Sequence, residues 1–150
     1  GDQKFSRNLT SEEVGKPLYG VVTALTQNRT VESGFSNGDG ASFMTATQEV
    51  ASPADGQTVA DGRPILTWNA NSQAKGYLYY VLDKNPFDPS AKIVWTNAPQ
   101  STDKLSATYP SSLNALPSGT YYWWVGGVSF DPRGQADAFS FSTPRKFVVP

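Results

Sequence analysis

The sequence predicts one all-β domain with the architecture of a sandwich. Helical periodicity is nearly absent, whereas short apolar and aromatic runs with period-two alternation recur along the chain. The 13 glycines and 11 prolines mark many turns between these runs. A chain of 150 residues has the usual size of one domain, and its 13% aromatic content indicates a core filled largely by rings.

Three regions follow one another along the chain. Residues 1–15 are polar and predict a flexible tether, with at most one helical turn. Residues 16–50 contain strand-like runs and predict an N-terminal β extension. The Pro/Gly/Asp-rich stretch at residues 51–64 opens the sandwich, which we expect to occupy residues 51–150. Because two or three strands alone are marginally stable, the extension should dock on the sandwich.

The strands of the sandwich are predicted in order from the runs between turn residues. They are PILTWNA, GYLYYVLD, AKIVWTN, KLSATYP, TYYWWVGGVSF and PRKFVV. In the first of these runs, alternation places Leu66 and Trp68 on one face. In the second, it separates Tyr77, Tyr79 and Val81 from the residues between them.

Residues 52–149 resemble the fibronectin type III family, in the form common in extracellular and periplasmic bacterial proteins. Five pieces carry the resemblance in the family's order: SPADGQTV, LTW, AKGYLYYVLD, LPSGTYYWWVGGV and FSTPRKFVV. It implies an antiparallel, immunoglobulin-like β-sandwich, with Leu116 and Tyr121 pinning the loop before the sixth strand in a tyrosine corner. The expected structural core contains Leu66, Trp68, Tyr77, Tyr79, Leu116, Tyr121 and Trp123.

The run GTYYWWVGGV places four aromatic side chains in a row, and a strand sends neighbours to opposite faces. If Tyr121 and Trp123 face the core, Tyr122 and Trp124 face outward. The third and sixth strands are neighbours in the implied fold, and Trp95 lies in an edge-like run. The predicted binding face therefore consists of Leu78, Tyr80, Leu82, Trp95, Tyr122 and Trp124. An exposed patch of roughly several hundred Å² requires a cover or a partner.

Three explanations for this face remain open. The N-terminal strands could pack on it, through the apolar residues Val21, Val22, Leu25, Phe35, Phe43 and Met44. A partner protein, or a neighbouring domain of a longer chain, could bind it. A polysaccharide could stack on its aromatic rings.

Composition argues against several other functions. The chain has no cysteine and no histidine, which removes thiolate and imidazole ligands and the commonest general base. We therefore expect no catalytic residues, no cofactor and no metal site. Asp131 and Asp137, the candidates for a glycosidase pair, flank a predicted turn where solvation explains them equally well. The net charge of −1 gives no electrostatic footprint for nucleic acid.

The polar start of the chain is typical of the tether that follows a processed export or lipoprotein signal. We expect a secreted, periplasmic or cell-surface protein, with no membrane-spanning segment and with room for a lipid anchor upstream. The predicted function is that of a non-catalytic module in protein–protein interaction, or a structural spacer. The alternative is a carbohydrate-binding module that uses the exposed aromatic residues.

Overall fold

The computed structural model describes residues 17–20, 39–98 and 100–150, with side chains from Ser42 onward. The prediction of an all-β fold is confirmed, because every regular element in these ranges is a strand and the strands form two sheets. The predicted tether at residues 1–15 lies outside the described ranges.

Eleven strands are described. They are β1 (Pro17–Gly20), β2 (Asp39–Phe43), β3 (Val50–Ser52), β4 (Gln57–Thr58), β5 (Ile65–Trp68), β6 (Gly76–Leu82), β7 (Ile93–Thr96), β8 (Ser106–Thr108), β9 (Gly119–Phe130), β10 (Ala136–Phe141) and β11 (Arg145–Val149). Strands β3, β5 and β8 form a three-stranded sheet, and the other strands form an eight-stranded sheet.

Strand β9 is the central strand of the large sheet. One of its edges pairs with β6 from Tyr122 to Val128, and β6 in turn pairs with β7. Its other edge pairs first with β11 and then with β10, both antiparallel. The break between β10 and β11 is bridged by buried Ser142, whose N–H donates to the Val125 carbonyl and whose hydroxyl accepts from the Val125 N–H. A side chain therefore replaces the missing ladder bond.

The core lies between the two sheets and is dominated by rings. All seven predicted core residues belong to this core. Half-buried Tyr79 packs against the other six, which are buried: Leu66, Trp68, Tyr77, Leu116, Tyr121 and Trp123. The Trp68 ring lies 5.8 Å from Tyr77 and 6.0 Å from Tyr79, centroid to centroid. Such tilted ring pairs add directional attraction to the burial of apolar area.

The tyrosine corner is confirmed. The Tyr121 hydroxyl donates to the Pro117 carbonyl at 2.9 Å, and burial raises the pKa of this phenol. Leu116 is buried beside it, and its N–H donates to the Gly62 carbonyl at 2.9 Å. The loop before β9 is thus tied both to β9 and to the segment that leads into β5.

The N-terminal strands extend the large sheet sideways. Strand β2 pairs in parallel with β10, and β1 pairs with β2 on the far side. The Met44 N–H continues this ladder, donating to the Phe139 carbonyl at 2.8 Å, and the Met44 side chain is buried. Four of the residues that would cover the outward aromatic residues in the first of the three explanations lie outside the described ranges: Val21, Val22, Leu25 and Phe35.

Buried Gln48 ties the segment between β2 and β3 to both sheets, and sequence patterns did not single it out. Its backbone N–H donates to the Ser140 hydroxyl of the large sheet at 2.9 Å. Its side-chain amide donates to the Glu49 and Asn69 carbonyls beside the small sheet. The side-chain NH2 group of this almost fully buried residue thus satisfies two backbone acceptors, while its buried Oε1 has no hydrogen-bond partner among the described residues.

Replacing the central ring of the core should destabilise the whole domain. Trp68 is only 3% exposed, so Trp68→Ala removes a full ring from a close-packed site and should lower the free energy of unfolding by roughly 3–5 kcal/mol. The matched control is Ile65→Ala in the same strand, where the side chain is 56% exposed and the loss should be about 1 kcal/mol or less. Chemical denaturation monitored by circular dichroism compares the two, and equal losses would contradict this core assignment.

Gly62 is required by its backbone angle and by a close contact. Its φ is +63°, and a Cβ atom would lie 2.6 Å from the Leu116 carbonyl oxygen. Gly56 has a similar φ of +78° but nothing within 4 Å of that position. We expect Gly56→Ala to cost about 1–2 kcal/mol, and Gly62→Ala at least about 1 kcal/mol more, because only the latter also forces the backbone apart. Thermal and chemical denaturation of the pair measures the difference.

Candidate functional site

The outward side of the large sheet is the candidate site. Strand register brings together side chains from β6, β9 and β10 on the side that faces away from the three-stranded sheet. This aromatic face consists of Leu78, Tyr80, Leu82, Tyr122, Trp124, Val128, Phe139 and Phe141. It contains five of the six residues of the predicted binding face.

Cross-strand pairing holds the centre of the aromatic face together. Tyr80 lies opposite Trp124, and Leu82 lies opposite Tyr122. The Tyr80 and Trp124 rings stack with centroids 5.4 Å apart and an interplanar angle of 21°. Both rings are half-buried, while Leu82 is buried beneath its neighbours. The centre of the face is therefore an ordered aromatic pair with part of its surface open.

The assignment of Trp95 to the predicted binding face is wrong. Trp95 lies opposite Val81, a residue whose side chain points into the core, and only 7% of Trp95 is exposed. Its ring packs between Tyr79 and Tyr109, at centroid distances of 4.9 Å and 5.2 Å. Residues that lie opposite each other on paired strands point to the same face, so the pairing with Val81 directs Trp95 into the core, and this pairing is not visible in the sequence of β7 alone.

Phe139 and Phe141 belong to the aromatic face but were missed in the sequence. Their rings are nearly parallel, with centroids 5.9 Å apart and an interplanar angle of 6°. Phe141 lies over Gly126, where an added Cβ would come within 2.6 Å of a ring carbon. The sequence does contain a pattern that could have placed them there: the Phe-Ser-Phe alternation, and the two adjacent glycines in β9. This pattern can be interpreted only when it is known that β10 pairs with β9.

The N-terminal extension lengthens the aromatic face at its edge. Phe43 lies in register with Phe139 and is half-buried, so the two side chains are on the same side of the sheet. The described part of the extension therefore adds area beside the face.

A groove of about 400 Å³ opens at one end of the aromatic face. It is lined by Leu78, Tyr80, Ala98, Ser101, Val128, Phe130, Ala136 and Phe139. None of these side chains is charged, and the only polar groups are the hydroxyls of Ser101 and Tyr80. A groove of this kind fits an apolar side chain better than a strongly hydrated group.

The turn at residues 131–135 connects Phe130 with Ala136, two residues that line the groove, and is ordered by one carboxylate. Asp131 accepts from the backbone N–H groups of Gln135 and Arg133, at 2.9 and 2.8 Å, and forms an ion pair with the Arg133 guanidinium at 2.7 Å. The Gln135 backbone donor first, and then Arg133, hold the pKa of Asp131 below its usual value. The resulting stabilisation is present above the ordinary pKa of aspartate and is lost as the pH falls through the lowered one.

The two carboxylates considered for glycoside hydrolysis have structural partners. Asp131 orders the hairpin, and the Asp137 carboxylate accepts from the Ser129 hydroxyl at 2.5 Å. Within the described ranges, no group of three or more acidic side chains comes together as metal ligands, and no helix is long and apolar enough to cross a membrane.

Trp124 should be the main tryptophan accessible to solvent. Trp68, Trp95 and Trp123 are at most 7% exposed, whereas Trp124 is half-buried. We therefore expect acrylamide to quench one class of fluorescence strongly, and Trp124→Phe to remove that class. Trp95→Phe is the control and should leave it in place. If Trp124→Phe left the quenchable fraction unchanged, the aromatic face would be covered in solution.

Gly126 and Phe141 should be energetically coupled. Gly126→Ala should displace the Phe141 ring and cost roughly 1–3 kcal/mol, the range for overpacking. In a Phe141→Ala background that clash is gone, so the same change should cost at least about 1 kcal/mol less. A double-mutant cycle in urea measures this coupling, and additive effects would mean that the ring does not rest on Gly126.

No protein-family model matches the sequence, and no curated protein matches it. The resemblance of residues 52–149 to fibronectin type III domains therefore stays a prediction from the sequence.

Proposed function

We propose that this chain is a non-catalytic β-sandwich module that binds another protein through its aromatic face. The single observation that carries the proposal is the half-open aromatic face beside an uncharged groove of about 400 Å³. Protein interfaces are enriched in tyrosine, tryptophan and phenylalanine and depleted of charge at their centre. The composition of the aromatic face fits that pattern.

We also propose that residues 52–149 form a fibronectin type III-like sandwich. The five sequence pieces that carry the resemblance fall, in order, on or beside β3, β5, β6, β9 and β11. The third and sixth strands of the family are expected to be neighbours, and β6 and β9 are paired along seven residues of register. A location outside the cytoplasm, in the cell envelope or secreted, is proposed from the same resemblance and from the polar start of the chain.

A protein partner fits the aromatic face better than a polysaccharide does. A ring that stacks on a sugar needs an open face, but Tyr80 and Trp124 each turn one face toward the other. Sugar hydroxyls also need hydrogen-bonding groups, and the groove offers only Ser101 and Tyr80 among its lining side chains. The alternative function, carbohydrate binding, would have to rely on the remaining faces of these rings.

Site-specific photo-crosslinking in cells that produce the protein tests the proposal. A benzoyl-phenylalanine at position 122 replaces a half-buried ring on the aromatic face, and the control position is Leu113, which is 47% exposed in the loop between β8 and β9. We expect a discrete cross-linked protein only from position 122, and its loss when Trp124→Glu places a charge at the centre of the face.

Two other outcomes would overturn the proposal. Equal labelling from both positions, or none from either, would favour a structural spacer without a specific partner. Binding to a glycan microarray that is lost in Trp124→Ala, while circular dichroism remains unchanged, would favour the carbohydrate-binding alternative.

A further inference from the structure

The three-stranded sheet ends at β8, and this edge is unpaired within the described ranges. The sheet order is β3-β5-β8, so β8 pairs with β5 on one side only. Edges of sheets are commonly blunted by bulges, and the opposite edge strand, β3, carries one between Val50 and Ser52. The register of β8 with β5 is unbroken from Ser106 to Thr108.

The backbone groups that face outward from β8 can be identified from its bonds to β5. The Trp68 N–H donates to the Leu105 carbonyl at 3.1 Å, and the Tyr109 N–H donates to the Pro64 carbonyl at 3.0 Å. Because antiparallel residues alternate in direction, Ser106 and Thr108 direct their N–H and C=O groups to the other side. Among the residues that the structure describes, none bonds to these four groups.

A groove of about 370 Å³ runs along this open edge. Ser106, Ala107 and Thr108 form one wall, and Tyr79, Asn97 and Thr102 from the large-sheet side form the other. The second wall is fixed, because the Asn97 side chain accepts from the Tyr79 N–H at 2.8 Å and donates to the Tyr77 carbonyl at 2.9 Å. The open edge therefore faces a preformed cleft.

The charge of the residues that line the cleft indicates which kind of segment would bind there. Lys104 is the only charged residue among those that line it. Lys104 is also exposed, so a negative charge on a bound segment would lie near its ammonium group.

We propose that β8 is a docking edge for an extended acidic segment of another protein, which adds a fourth strand to the three-stranded sheet. Backbone bonds to Ser106 and Thr108 supply the register, and Lys104 selects a carboxylate. This surface is separate from the aromatic face and does not depend on the function proposed for that face.

The test uses two capped synthetic peptides with the full chain. The probe has the sequence Thr-Val-Thr-Asp-Thr-Val-Thr, and the matched control has Lys in place of Asp. In two-dimensional NMR of the amides, we expect the probe to shift Ser106 and Thr108 saturably and to slow their hydrogen exchange. The control peptide should bind at least fivefold more weakly, and Trp124→Phe should leave both results unchanged.

Two variants separate edge pairing from other contacts. Thr108→Pro removes an outward donor that has no described partner, and proline is tolerated at such an edge, so the fold should survive while probe affinity falls at least tenfold. Lys104→Glu should reverse the preference between the two peptides without touching the backbone. Probe binding that is unchanged in Thr108→Pro, or the absence of saturable shifts at Ser106 and Thr108, would overturn the proposal. So would shifts of the same amides that depend on protein concentration alone, because a second copy would then occupy the edge.

Discussion

Strand β9 carries the constraint on which the rest of the structure depends. It contributes Tyr121, Trp123 and Val125 to the core on one side and Tyr122 and Trp124 to the aromatic face on the other. Every other strand of the large sheet is attached to it directly or through one neighbour, except β1. Large rings on both faces of a strand need packing contacts on both sides of the sheet. On the outward face of β9, side chains of β6 and β10 supply these contacts.

The two faces of the large sheet are supported in different ways. Toward the core, rings from both sheets pack around Trp68 and Trp123 until neither is more than 3% exposed. On the aromatic face, the described ring contacts come from the large sheet itself: Tyr80 stacks on Trp124 across β6 and β9, and Phe139 stacks on Phe141 within β10. Tyr80, Trp124 and Phe139 are half-buried, whereas Leu82 and Val128 of the same face are buried.

Alternation in the sequence predicted the inward and outward residues of β5, β6 and β9, because period two is a property of one strand. Trp95 was assigned wrongly, because the face to which it points is set by the pairing of β7 with β6, where it lies opposite inward-facing Val81. The contribution of Phe139 and Phe141 was missed for the same reason. Gln48 was missed because a polar residue between strands gives no signal until its acceptors, the Glu49 and Asn69 carbonyls, are in place.

Strands β10 and β11 pair with different parts of the same edge of β9. Residues that pack in the core and residues on the aromatic face therefore lie on separate strands. Strand β11 supplies Phe147 and Val149 to the core, whereas β10 places its large side chains, Phe139 and Phe141, on the aromatic face. The buried hydroxyl of Ser142 closes the gap between the two strands. As a result, the outward surface can accept new side chains on β10 while the part of the sheet that stabilises the domain stays the same. Such a scaffold can change its outward surface without having to be rebuilt.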